Sequence, residues 1–427
     1  MMRTKYTMRA AAVLALMLSL FVLGSMSVAA HGGESGIAPN GLFFIDYRNL
    51  NGGADGIAVV NVDPEAANYG ELLQTVELGE DVLPHHIYYN HDQSRLYNTT
   101  LGGEFLYELL LERDEDGVPT ITGFAPIDTG ESMVGEDMFF TEDGGEFWVT
   151  FIGGFGGDRD GSIGVFDAQT NELVNTIVAP EPENPSSGEP YLLYPHGISA
   201  REDLGFLLTT STIHPDLMTG MGNTVTLIDM ESREPVQTVL VGESWEDLSQ
   251  PVEVLMLRDG QPSYAMATTV MGGDLWIAPV DEENGLLGEF TEVIDGGAEG
   301  LGIALEMYIG PGDDPESNDD QLLYVSFAVP GVVNAYSMDN LPQLELVKSF
   351  DAGAGAHHLG FFQTESGREA MVVQNNLLNG EGINAGTLTI VDIHSGELLG
   401  ELNLAADYGM LPESIESAMG NAHFVHH

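Results

Sequence analysis

The chain has 427 residues, 43% of them hydrophobic, and carries 12 Lys+Arg against 67 Asp+Glu for a formal net charge of -55. That charge excludes nucleic acid and anionic membranes as natural partners, while the ordinary hydrophobic content excludes a disordered acidic chain. With no cysteine there can be no disulfide, thiolate metal site or thiol nucleophile, so apolar burial must hold the fold and any metal must be bound by imidazole, carboxylate or thioether.

The chain opens with Arg3, Lys5 and Arg9, an apolar run from Ala10 to Leu23 and small residues from Ser25 to Ala30, the three-part pattern of a secretory signal peptide. Residues 1–30 are therefore read as a signal, the mature chain as starting at His31, and the destination as the periplasm or the exterior. The apolar run falls short of the ~20 residues that span a bilayer, and no later stretch is apolar enough, so no membrane span is expected in the mature chain. The acids are spread along the sequence instead of forming one tail, which predicts a solvated acidic surface suited to high salt, a halophilic character.

From Leu42 onward, short alternating runs rich in Val, Ile, Leu, Phe, Tyr and Thr alternate with Gly, Asp, Asn and Pro, and no long helical period is present. An apolar residue followed by an acid and a turn recurs at Asp63, Glu112, Asp167, Asp229, Asp281, Asp339 and Asp392, spaced by subtraction 49, 55, 62, 52, 58 and 53 residues apart. Such a repeat predicts an all-β, seven-bladed β-propeller occupying residues 31–427 as one domain. In the second unit the four strands read His85 to Asn90, Arg95 to Thr100, Glu104 to Leu111 and Pro119 to Pro126. The first unit, with strands from Leu42, Ile57 and Glu71, lacks an innermost strand, and the C-terminal segment Ala422 to His427 is read as supplying it. This closure would remove the open edge of the ring.

The innermost strands carry the chemistry. Leu83-Pro84-His85-His86-Ile87 is echoed by Tyr194-Pro195-His196-Gly197-Ile198, by Gly355-Ala356-His357-His358-Leu359 and by Asn421-Ala422-His423-Phe424-Val425. Matching strand starts puts His85, Glu136, His196, Val252, Leu301, His357 and His423 in one column, and His86, Asp137, Gly197, Glu253, Gly302, His358 and Phe424 in the next. Both columns face one channel mouth, where His214 also falls on a loop. Imidazoles converging without a counter-ion depress one another's pKa and serve no packing purpose, whereas neutral imidazole is the commonest metal ligand. The metal candidates are thus His86, His196, His358 and His423 first, then His85, His214 and His357. Strand alternation predicts that only one of each adjacent pair points down the channel. A set without thiolate suits copper, with zinc or iron as alternatives. Glu136, Asp137 and Glu253 are candidates to complete the shell, to orient an imidazole or to accept protons. His31 at a cleaved N-terminus could chelate copper separately, and Asp158-Arg159-Asp160 is read as a solvated loop. The glycine clusters at Gly153 to Gly157 and Gly272-Gly273 lack the helix of a phosphate cradle.

The adjacent histidines, the further histidine-bearing inner strands and the propeller resemble the copper-dependent methanethiol oxidase and selenium-binding protein family, and also the propeller domain of nitrous oxide reductase. The resemblance implies a copper site at the channel mouth and an oxidoreductase acting on a small sulfur or nitrogen compound, with a redox partner. The alternatives are a metal carrier with the same ligands and no turnover, and an interaction scaffold in which the histidines only pack.

Overall fold

The computed structural model describes residues 37–154, 161–178, 190–213, 221–246, 248–257, 263–312 and 321–419. They form seven four-stranded antiparallel sheets in a ring, with two short helical turns, Gly296–Glu299 and Leu404–Tyr408, among the described residues. Six blades are read continuously along the chain from inner to outer strand. In blade 2 these are Pro84–Tyr89, Arg95–Thr100, Leu106–Arg113 and Pro119–Pro126, close to the sequence expectation. Blade 1 takes Leu42–Asn49, Asp55–Asn61 and Leu72–Gly79 from the start of the chain and its inner strand from the end.

That inner strand is Met410–Ser417, not Ala422 to His427: Phe43 pairs with Ser417, Ile45 with Ile415 and Tyr47 with Pro412. The ring is closed as expected, but ten residues earlier than the histidine echo suggested. Leu411-Pro412-Glu413-Ser414-Ile415 repeats the Leu83-Pro84-His85-His86-Ile87 pattern with different chemistry at the two central positions. Residues 422–427 lie outside the described ones.

Closure is visible in the packing. Each pair of neighbouring blades buries an apolar core between them, and a further small cluster of Val252, Leu305 and Ala328 joins blades 5 and 6. Tyr97, Phe147 and Phe166 join blades 2 and 3, and Phe43, Phe362 and Ile390 join blades 7 and 1. The outer strands face water on one side, as in Leu72–Gly79, where exposed and half-buried residues alternate. Inner strands are buried on both faces, as in Pro251–Met256.

One departure from regular strand geometry is repeated in all seven inner strands. Within its first half, each carries a bulge that sets an extra residue against its neighbour. Before it the chain enters through a left-handed residue in six of them: Leu83, Val134, Tyr194, Gln250 and Ile303, with φ between 47° and 61°, and Gly355. Five non-glycine residues in this sparsely populated region mark a backbone that the surrounding ring dictates.

Candidate metal centre

Aligned on the bulge, the first column is His85, Glu136, His196, Val252, Leu305, His357 and Glu413, and the second is His86, Asp137, Gly197, Glu253, Glu306, His358 and Ser414. Two blades differ from the sequence alignment. Blade 6 begins at Gly302 but bulges between Ala304 and Met307, so Leu305 and Glu306 replace Leu301 and Gly302. In blade 1, Glu413 and Ser414 stand where His423 and Phe424 were expected.

The bulge also overturns the alternation argument. With two residues opposing one, both members of a pair turn toward the axis. The rings of His85 and His86 stack with centroids 4.2 Å apart, and those of His357 and His358 lie 3.9 Å apart. All four are buried.

The bulge also frees a backbone N–H, which a side chain of the second strand accepts in six blades. Thr150 takes that of Asp137 and Thr210 that of Gly197, at 3.0 and 2.9 Å. Thr268, Ser326, Gln374 and Asp46 do the same for Glu253, Glu306, His358 and Ser414. The threonine hydroxyls then donate to the next blade's inner strand: Thr150 to the carbonyl of His196, Thr210 to that of Val252, Thr268 to that of Leu305. Each pair of axial side chains is thereby clasped to its neighbour.

The axial side chains form two adjacent groups able to hold a metal. In the first, His85 Nε2 lies 2.9 Å and His196 Nε2 3.3 Å from Glu136 Oε2, and His196 Nδ1 lies 3.1 Å from Glu253 Oε1. In the second, Glu306 Oε1 stands 3.4 Å from His357 Nε2 and 3.7 Å from His358 Nδ1, with His86 completing the set. The rings of His86 and His358 meet edge to face at 4.9 Å. The free space here amounts to only about 10 Å³, enough for one water, lined by His86, Tyr88, Asp137, Glu253, Glu306 and His358.

Burial dominates the electrostatics. It pushes His85 and His86 well below the ordinary imidazole value, with neighbouring histidines adding to the effect, so both are neutral. It raises Glu136 to about 7 and Glu253 well above the usual carboxylate range, Glu306 being the next cause for Glu253. His357 Nδ1 faces the carbonyl of Asn376 at 3.4 Å and must donate to it, which leaves Nε2 directed at the Glu306 carboxyl. His85 Nδ1 and His86 Nε2 are buried without a hydrogen-bond partner.

Glu306 and Glu413 were missed in the sequence. Glu413 joins the polar shell beside the site, its Oε1 2.5 Å from Arg48 Nε and its Oε2 accepting from Asn376. The signals were the Pro-X-X-Ile frame around Glu413 and the apolar-acid-apolar frame that Leu305-Glu306-Met307 shares with Val252-Glu253-Val254. His214 and His423 lie outside the described residues, as do His31 and Asp158 to Asp160. His91 binds the Thr141 carbonyl and His394 the Glu369 carboxylate, both away from the axis. No helix among the described residues is long and apolar enough to cross a membrane.

No family model matches the chain, and no curated protein matches it in sequence. Among solved structures it is similar to a hypothetical selenium-binding protein of Sulfolobus tokodaii, with a TM-score of 0.68 at 14% identity over 91% of this chain and 95% of that one. It is also similar to the periplasmic gluconolactonase of Pseudomonas aeruginosa, with a TM-score of 0.57 at 14% identity over 88% and 98%. A functionally unknown protein of Desulfotomaculum acetoxidans gives 0.55 at 16% identity over 88% and 98%. The chain is thus a seven-bladed β-propeller with a buried axial cluster of histidines and glutamates that could hold a metal.

Proposed function

We propose that the axial cluster binds a transition metal, copper before zinc or iron, and that the chain is an exported oxidoreductase acting on a small sulfur or nitrogen compound, with electrons passed to dioxygen or a redox partner. The observation that carries the metal reading is the pair of buried ligand groups, each with its candidate ligand atoms within 4.8 Å of one another. Four of the sequence-expected ligands, His85, His86, His357 and His358, stand there as two ring pairs, and His196 bridges Glu136 and Glu253. Clustered imidazoles, of which burial keeps His85 and His86 neutral, suit copper, which when bound would supply the electron exchange. Glu136, holding a proton up to about pH 7, is placed to give or take one at His85 or His196. The signal pattern of residues 1–30 supports export.

One observation favours a carrier without turnover: the free space between the rings holds about one water, so a substrate larger than that must work from the mouth. The deciding experiment is elemental analysis of untagged protein beside His86→Ala and His358→Ala. Near-stoichiometric copper that falls at least tenfold in both variants is expected. A metal-free protein after reconstitution would leave a propeller scaffold. With copper bound, dioxygen uptake with thiol donors would mark the oxidoreductase, and inertness across donors the carrier.

A further inference from the structure

Two residues after the bulge, the inner strands present a second layer of side chains: Tyr88, Phe139, Ser199, Leu255, Tyr308, Gly360 and Glu416. One of them reaches back to the axial cluster through two hydrogen bonds. The Tyr88 hydroxyl lies 2.8 Å from His86 Nδ1 and donates to Asp137 Oδ1 in the neighbouring blade.

The proton count along this chain is determined. Asp137 Oδ1 accepts from the Met138 N–H at 2.8 Å, and Oδ2 from the Ile198 N–H of blade 4 at 3.0 Å. With the Tyr88 hydroxyl, three donors converge on it, the surroundings of a carboxylate. The phenol has a single hydrogen and spends it on Asp137. What remains for His86 Nδ1 is an oxygen lone pair, so Nδ1 must be the donor. A neutral imidazole with hydrogen on Nδ1 carries its lone pair on Nε2, the buried atom without a hydrogen-bond partner. The oxygen of Tyr308, the matching tyrosine of blade 6, accepts the Leu359 N–H at 3.2 Å.

We propose that Tyr88 and Asp137 are positioning residues that lock His86 in its Nδ1–H tautomer and aim the Nε2 lone pair into the axial cluster, across the boundary between blades 2 and 3. Asp137 is then an anchor and not a proton acceptor in turnover. The tautomer lock stands on the hydrogen bonds alone; its consequence for metal affinity rests on the metal reading above. Partners of this kind behind a ligand histidine change metal affinity by about 10–100-fold when removed.

The test has two arms. In the metal-free full-length protein labelled with ¹⁵N-histidine, long-range ¹H–¹⁵N correlation reads each ring's tautomer, and the His86 signals are assigned by their loss in His86→Gln. The expected result is Nδ1–H for His86, moving toward Nε2–H in Tyr88→Phe; Nε2–H in the unmodified protein would overturn the lock, whether or not the variant folds. In the second arm, copper(II) is titrated against a chromophoric chelator. Tyr88→Phe should bind with unchanged stoichiometry about 10–100-fold more weakly, and unchanged affinity would overturn the positioning role. If the unmodified protein binds no copper while His86 remains Nδ1–H, the metal reading falls and the lock stands.

Discussion

At the scale of single residues, the site places carboxyls where water cannot solvate their charge. Glu136 is raised from 4.5 to about 7, chiefly by burial. The metal-free folded chain therefore keeps a proton on it between those values, while the unfolded chain has lost it. The stabilisation from that proton is present below pH ~4.5 and is lost as pH rises toward 7, by about 3 kcal/mol in total. Urea unfolding of metal-free protein from pH 4.5 to 7.5 should show this loss, and Glu136→Gln should remove it. Asp46 and Glu413, raised to about 6 and about 8, slope the same way, so the difference between the two curves is the readout. Curves that stay parallel would mean that Glu136 ionises normally. Bound metal reverses the trend, because it must displace the proton: affinity should climb with pH up to about 7 and level off above it.

At the scale of the element, the unit that makes the site is the bulged strand with its hydroxyl clasp. Thr150→Val keeps the shape but leaves the buried Asp137 N–H and the part-buried His196 carbonyl without their partner. A loss of about 2–3 kcal/mol is expected in chemical denaturation. Thr268→Val, which serves Glu253 and Leu305, should cost as much yet disturb metal binding less, since it frees no histidine. Equal metal affinity in both variants would show that the clasp supports the fold alone. This unit also explains what could be read from the sequence. Proline before the histidines made blades 2 and 4 legible, and the period of the acid-turn unit made the propeller legible. Glu306 was hidden because its strand starts before its bulge, which sets the alignment off by four residues. The bulge has no signature of its own: the left-handed residue before it is Leu, Val, Tyr, Gln, Ile or Gly. A strand read as regular alternation sends one histidine of each pair away from the axis. Tyr88 was invisible for a related reason, its partner Asp137 being 49 residues away on another blade.

At the scale of the whole molecule, cohesion and charge oppose each other. The ring is held by interblade cores and by non-local pairing of its ends, Met410–Ser417 against Leu42–Asn49 and Ala38 against Phe362. The few cations are spent locally. Arg95 pairs with Glu108, Arg201 with Asp203, Arg233 with Glu146 and Arg368 with Asp392 and Glu397, while Lys348 donates to the carbonyls of Ile393 and His394. That leaves exposed runs such as Asp114-Glu115-Asp116 and Asp281-Glu282-Glu283 with like-charged neighbours, on a chain of net charge -55. Repulsion among such groups acts over roughly 30 Å at 0.01 M salt and roughly 3 Å at 1 M. The compact state suffers more from it than the expanded chain, so screening should favour folding. Melting in sodium chloride from 0.01 to 2 M should therefore show Tm rising steeply at first and flattening once the screening length falls below the spacing of surface charges. Choline chloride should reproduce the first part of the rise, because screening depends on ionic strength and not on the cation. A Tm independent of salt would show that the acidic surface is already relaxed by its spacing, and a response to sodium alone would point instead to discrete cation sites.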